Sequence, residues 1–121
     1  MRTRHLCAAA AILGLVLAGC GEKLDPAGDG GGCELPDQVT WSEHIEPLVS
    51  QYCTGCHASH LTGEYRNGAP AGVDFDTYEL TVDNADDAND RIGAGTMPPS
   101  APLDPCHQEL FDAWVAAGTP E

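Results

Sequence analysis

Apolar residues along the chain fall into a run, two helical stripes and a weakly patterned middle. Residues 6–17 form an almost unbroken Ala- and Leu-rich run with no polar face. It is short of the roughly 20 residues a spanning helix needs. Between residues 40 and 53, Trp41, Ile45, Leu48, Val49 and Tyr52 recur at helical spacing and make one apolar stripe. Thr40 and Glu43 have the spacing of a capping box. Pro47 conflicts with a helix begun at Trp41, because it lacks an N–H and its ring crowds the preceding turn. The helix therefore bends there, or starts near Glu46 with Pro47 at its first position. Either way it ends at Cys53. Residues 58–76 are rich in turn formers and predict a loop, with a short extended piece at 73–75. Asp76 is positioned to cap a short helix from Thr77 to about Val82, with Tyr78 inward. Residues 83–92 form a second weak helical segment, broken by Gly93 and Gly95. The last helix covers residues 104–117, with Asp104 as N-cap and Pro105 at the first helical position. Its face of Cys106, Leu110, Phe111, Trp114 and Val115 is expected to pack on the first helix near Trp41 and Tyr52. Gly118 and Pro120 stop it. The pattern is all-α.

Charge adds a constraint on partners. Lys and Arg total 5 against 19 Asp and Glu, a formal net charge of -14. Arg2 and Arg4 precede the apolar run, and every acid follows it. Such a chain does not bind nucleic acid or an anionic membrane surface by charge. It suits a protein partner with a basic docking face, whose approach would be steered and salt-sensitive. Aromatic residues are only 6% of the chain, so the apolar core is expected to be small. A domain of this size gains from a staple or a buried cofactor.

The basic start, the apolar run and the small residues after it make a secretory signal. Leu17-Ala18-Gly19-Cys20 resembles the bacterial lipobox. That resemblance implies a lipoprotein signal peptide at residues 1–19, cleaved before a lipidated Cys20. Residues 20–32 are Gly-rich and acidic, and read as a flexible tether. Residues 33–121 are then the domain. The expected location is the bacterial cell envelope, lipid-anchored on the membrane and facing the periplasm or the exterior.

Export sets the context for the cysteines, because disulfides persist outside the cytoplasm. Cys53-Thr54-Gly55-Cys56-His57 is a Cys-x-x-Cys-His run, the attachment signature of c-type haem. Its chemistry accounts for the spacing: two thiols add to the two haem vinyl groups, and the adjacent His supplies a nitrogen ligand to iron. Cys33 and Cys106 then remain, one at each end of the domain, and are expected to pair as a disulfide. The loop at 58–76 would follow one edge of the haem. Downstream stands Gly95-Thr96-Met97-Pro98-Pro99. A thioether is a soft iron ligand that raises the potential, and two prolines hold the backbone behind it. Met97 is the only methionine besides the initiator.

The helix ending in Cys53, Cys56 and His57, the loop-rich middle, Met97-Pro98-Pro99 and a closing helix carrying Trp114 together resemble a class I c-type cytochrome domain. The tail Ala113-Trp114-Val115-Ala116-Ala117-Gly118-Thr119-Pro120 looks like the closing helix of small bacterial cytochrome c-like lipoprotein domains. The resemblance covers residues 41–120. It implies an all-helical fold around one haem c per chain, with His57 and Met97 as axial ligands. The expected function is electron transfer to a redox partner protein, without catalysis by side chains. Cys33, Cys106 and the acidic middle helices depart from the family pattern. One alternative is a haem-based enzyme subunit or a gas- or peroxide-binding sensor with an open distal site. In it His44, His60 or His107 would serve as further ligands or distal groups. Another is a zinc set of Cys53, Cys56, Cys106 and His107, or a thioredoxin-like thiol pair. Zinc leaves His57 and Met97-Pro98-Pro99 unexplained, and the thiol pair lacks a surrounding βαβ pattern.

Overall fold

The computed structural model describes residues 32–121. The expected signal peptide at 1–19, lipidation at Cys20 and the tether at 20–32, save Gly32, lie outside the described residues. Every regular element among the described residues is helical, and none is a strand. No helix among them is long and apolar enough to cross a membrane.

The conflict at Pro47 is resolved by a change of helix type. A π-helical turn, Trp41–Ile45, leads into α1, Glu46–Tyr52, and Pro47 lies in the first turn of α1. Its fixed φ suits that position, where a missing N–H is best tolerated. The wider π turn upstream removes the crowding a Pro imposes on a regular α-helix. It also changes the cap. The Thr40–Glu43 capping box does not form. Instead His44 Nδ1 accepts from the Thr40 backbone N–H at 3.2 Å, since the altered register brings the fourth residue over the start.

The middle of the chain is held by short elements. A 3₁₀ turn, Gly63–Arg66, precedes α2, Tyr78–Asp83, and α3, Ala85–Gly93. Thr77, not Asp76, caps α2, its hydroxyl accepting from the Leu80 amide. Gly93 is the last residue of α3, and the reversal falls at Gly95, whose φ is +67°. Residues 73–75 form no strand. Their backbone bonds are a turn contact, from the Val73 N–H to the Pro70 carbonyl at 3.4 Å, and a longer-range one, from the Phe75 N–H to the His57 carbonyl at 2.9 Å.

The last helix, α4, spans Pro105–Ala116, with the Asp104 carboxylate accepting from the Cys106 and His107 amides. Trp114 and Phe111 are fully buried, with Trp114 6.1 Å from Trp41 by ring centroids. Gly118 at φ +82° turns the chain back across this core. The Pro120 carbonyl there accepts from the Trp41 N–H at 2.9 Å and from Trp114 Nε1–H at 2.8 Å. The Tyr78 hydroxyl donates to the Thr119 carbonyl at 2.7 Å. The C-terminal turn thus ties the first helix, α2 and α4 together. At the other end Cys33 and Cys106 stand at disulfide distance, Sγ to Sγ 2.05 Å and Cα to Cα 5.3 Å.

Candidate functional site

The end of α1 positions the Cys-x-x-Cys-His run. The Cys53 and Thr54 amides both donate to the Val49 carbonyl, the second as a wider, π-type closure of the last turn. The Cys56 and His57 amides then donate to the Cys53 carbonyl, at 3.1 and 2.9 Å. These bonds fold the five residues into one compact turn. Cys53, Cys56 and His57 all line one cavity of about 430 Å³. That falls within the range of small-molecule and cofactor sites, roughly 300–1,000 Å³. Val49, Phe75, Ile92, Leu103 and Phe111 make its buried apolar wall. Asn67, Asp87 and Arg91 are exposed and stand at its margin.

Met97 lines the same cavity, with Pro98 and Pro99 beside it. It arrives there from the end of α3. The Arg91 carbonyl accepts from the Thr96 amide at 2.9 Å, the Met97 amide at 3.3 Å and the Thr96 hydroxyl at 3.1 Å. Forty residues of sequence therefore separate two groups that face one space, His57 and Met97.

His57 has a defined tautomer. Its Nδ1 lies 2.8 Å from the Val73 carbonyl oxygen, which can only accept, so Nδ1 carries the proton. Nε2 of the neutral ring is then left with its lone pair free for a metal, the arrangement that backs most histidine ligands. The Phe75 ring stands edge-on to the imidazole at 5.3 Å and fixes its plane.

The loop that carries Val73 is organised by Arg66, a residue the sequence marked only as one of few cations. Arg66 is buried. Its guanidinium donates to the carbonyls of Ala69, Ala58, Leu61, Pro70 and Val73. It pairs with the buried Asp74 carboxylate at 2.7 Å. Five carbonyls converge on one side chain because a loop without ladder bonds must satisfy its backbone some other way. The only signal in the sequence was a single Arg inside a turn-rich stretch whose other charged residues, Glu64, Asp74 and Asp76, are all acidic. A second clip joins the same loop to the turn after His57. The Asp76 carboxylate accepts from the Ser59 amide at 2.9 Å and the Ser59 hydroxyl at 2.7 Å. This duty explains why Asp76 is not the cap of α2. Desolvation by itself would raise the Asp76 carboxyl, but the two Ser59 bonds outweigh it and hold the group below its usual range.

The two remaining thiols differ from reactive pairs. Burial pushes the Cys53 thiol up to about 11, so it stays protonated at neutral pH. A thioredoxin-type nucleophile needs the opposite shift. Cys106 has its sulfur at bonding distance from Cys33, so it is not free to join Cys53 and Cys56 on zinc. Among the described residues no three His, Cys, Asp or Glu side chains are grouped to hold a metal ion. Among the described residues, His57 is the one histidine lining the cavity. His44 caps the first turn, His60 is exposed near Asp76, and His107 lies against Asp104 and the Tyr52 ring.

The residues fit a haem on the chemistry of their donors. An apolar cavity holds two thiols at vinyl-addition spacing, one imidazole with a fixed free nitrogen and one thioether. Compared with known protein families, with curated proteins and with solved structures, the chain matches none.

Proposed function

We propose that this chain is an electron carrier of the c-type cytochrome kind, exported, lipid-anchored through Cys20 and carrying one covalent haem c. The observation that carries this reading is that Cys53, Cys56, His57 and Met97 all line one apolar cavity. Haem iron would supply a one-electron couple there. Cys53 and Cys56 would hold the group by thioether bonds, each S–H adding across a vinyl double bond with nothing lost. The Val73 carbonyl keeps His57 in the tautomer that leaves Nε2 free. The buried wall of Val49, Phe75, Ile92, Leu103 and Phe111 keeps water off the centre, which limits reorganisation when charge moves. His57 and Met97 would hold the iron from their two side chains and leave no place for substrate, a role of transfer and not catalysis. A net charge of -14 suits a redox partner with a basic docking face.

Expression with a cytochrome c maturation system tests the reading. The denatured protein should keep covalently bound haem on a gel, and its reduced spectrum should be that of a low-spin, six-coordinate haem. A chain matured beside a working control that carries no covalent haem overturns the reading. A high-spin ferrous spectrum that responds to added carbon monoxide would favour the sensor or enzyme-subunit alternative.

A further inference from the structure

The Val73 carbonyl has two donors, and the second is unusual. His57 Nδ1–H donates to it at 2.8 Å, and Arg66 Nη2 reaches it at 3.2 Å. Arg66 Nη2 also reaches Pro70 O and Asp74 Oδ1, both at 2.7 Å. Its two protons therefore serve three acceptors, and Val73 takes the weakest share. Even so, a buried cation sits one carbonyl away from the imidazole, with a buried carboxylate directly behind it.

The sign of each effect follows from electrostatics. A strong acceptor on Nδ1–H gives the ring imidazolate character and makes Nε2 a better donor to an oxidised metal. A cation on the same acceptor draws electron density from the oxygen and weakens that effect. Its field also opposes any further positive charge nearby, with little screening in a buried site. Asp74 works in the opposite direction by neutralising Arg66. In an exposed loop neither effect would be felt.

Resting on the electron-carrier reading above, we infer that the Arg66–Asp74 pair is a positioning device that sets the reduction potential through the Val73 carbonyl and His57. Arg66 biases the centre toward its reduced form, and Asp74 limits that bias. The pair is thus a tuning element as well as the organiser of the loop.

The test is a redox titration followed by the optical spectrum, on the matured full chain. The unaltered protein comes first: absence of covalent haem there overturns the underlying reading and this inference with it. Arg66→Gln should lower the potential. Asp74→Asn, which leaves Arg66 charged and keeps its carbonyl contacts, should raise it. Opposite directions distinguish tuning from support, because mere loosening of the loop would move both variants the same way. Shifts of the same sign, or no shift in either, overturn the inference while leaving the haem reading intact. Should Arg66→Gln not mature, Arg66→Lys replaces it. That variant keeps the charge and should stay near the unaltered potential, while Asp74→Asn still rises; an unmoved Asp74→Asn overturns the inference.

Discussion

Met97 and His57 reach the cavity with different degrees of restraint. His57 is held by its own amide, by Phe75 and by the Val73 carbonyl. Met97 is held mainly through its backbone, by Arg91 O and the prolines that follow. A flexible thioether on a restrained backbone is a side chain that can be truncated without dismantling the site. Met97→Ala is therefore expected to keep covalent haem, lose the low-spin signature of thioether ligation and lower the potential. The optical spectrum checks this, and a spectrum identical to the unaltered protein would show that Met97 is not on iron. Helical spacing pointed to Trp41 and Trp114 as core residues, and both are buried. The roles of Arg66 and Asp76 could not be seen the same way. Each depends on carbonyls or amides whose positions follow from the loop path, not from neighbours in sequence.

At the scale of elements, the Ser59–Asp76 clip and the Arg66–Asp74 pair do what secondary structure does elsewhere. Residues 58–76 lack ladders or long helices, so two carboxylates and a guanidinium close the loop on itself. The clip should be pH-dependent. Asp76 titrates in the fold below its ordinary value of 3.8, so its ionised form is favoured by folding. The stabilisation is complete above that value and fades as pH falls through the lower folded one. Asp76→Asn should accordingly be less stable than the unaltered chain at neutral pH, with the gap shrinking in strong acid. Denaturant midpoints measured from neutrality down to about pH 2.5 on both proteins check it. A gap that stays constant with pH would mean the carboxylate charge is not involved. The helices themselves were legible from pattern to within a residue or two. The capping box at Thr40 was not, because the sequence does not announce that Pro47 will be accommodated by a π turn.

Taking the described residues as a whole, few large ones are fully buried, and a cavity of about 430 Å³ lies against the core. Trp114, Phe111, Ile45 and Val49 pack to one side, and the C-terminal turn ties three helices to that cluster. The Cys33–Cys106 link closes the remaining end over a sequence separation of 73. By chain entropy such a loop closure is worth about 4 kcal/mol. The Cys33→Ser, Cys106→Ser double variant should lose stability on that order, read from denaturant unfolding of the matured protein. An unchanged midpoint would show that the helical core holds the domain without the link.

By itself the sequence determined the helices and the two cysteines that stand at disulfide distance, and it proposed the donor set. These rest on short-range rules: helical period, capping, the spacing of thiols two apart and the count of cysteines. It did not determine what surrounds His57. The tautomer of that ring, the carbonyl that fixes it and the guanidinium behind that carbonyl are set by a loop that closes on itself between residues 57 and 76. Such a loop has no period to read, because its carbonyls at 58, 61, 69, 70 and 73 converge on the one Arg66 side chain from irregular distances along the chain. Only the tertiary structure brings Arg66, Asp74, Val73 and His57 to one point. The physical reason is that burial forces every polar group there to find its partner in space.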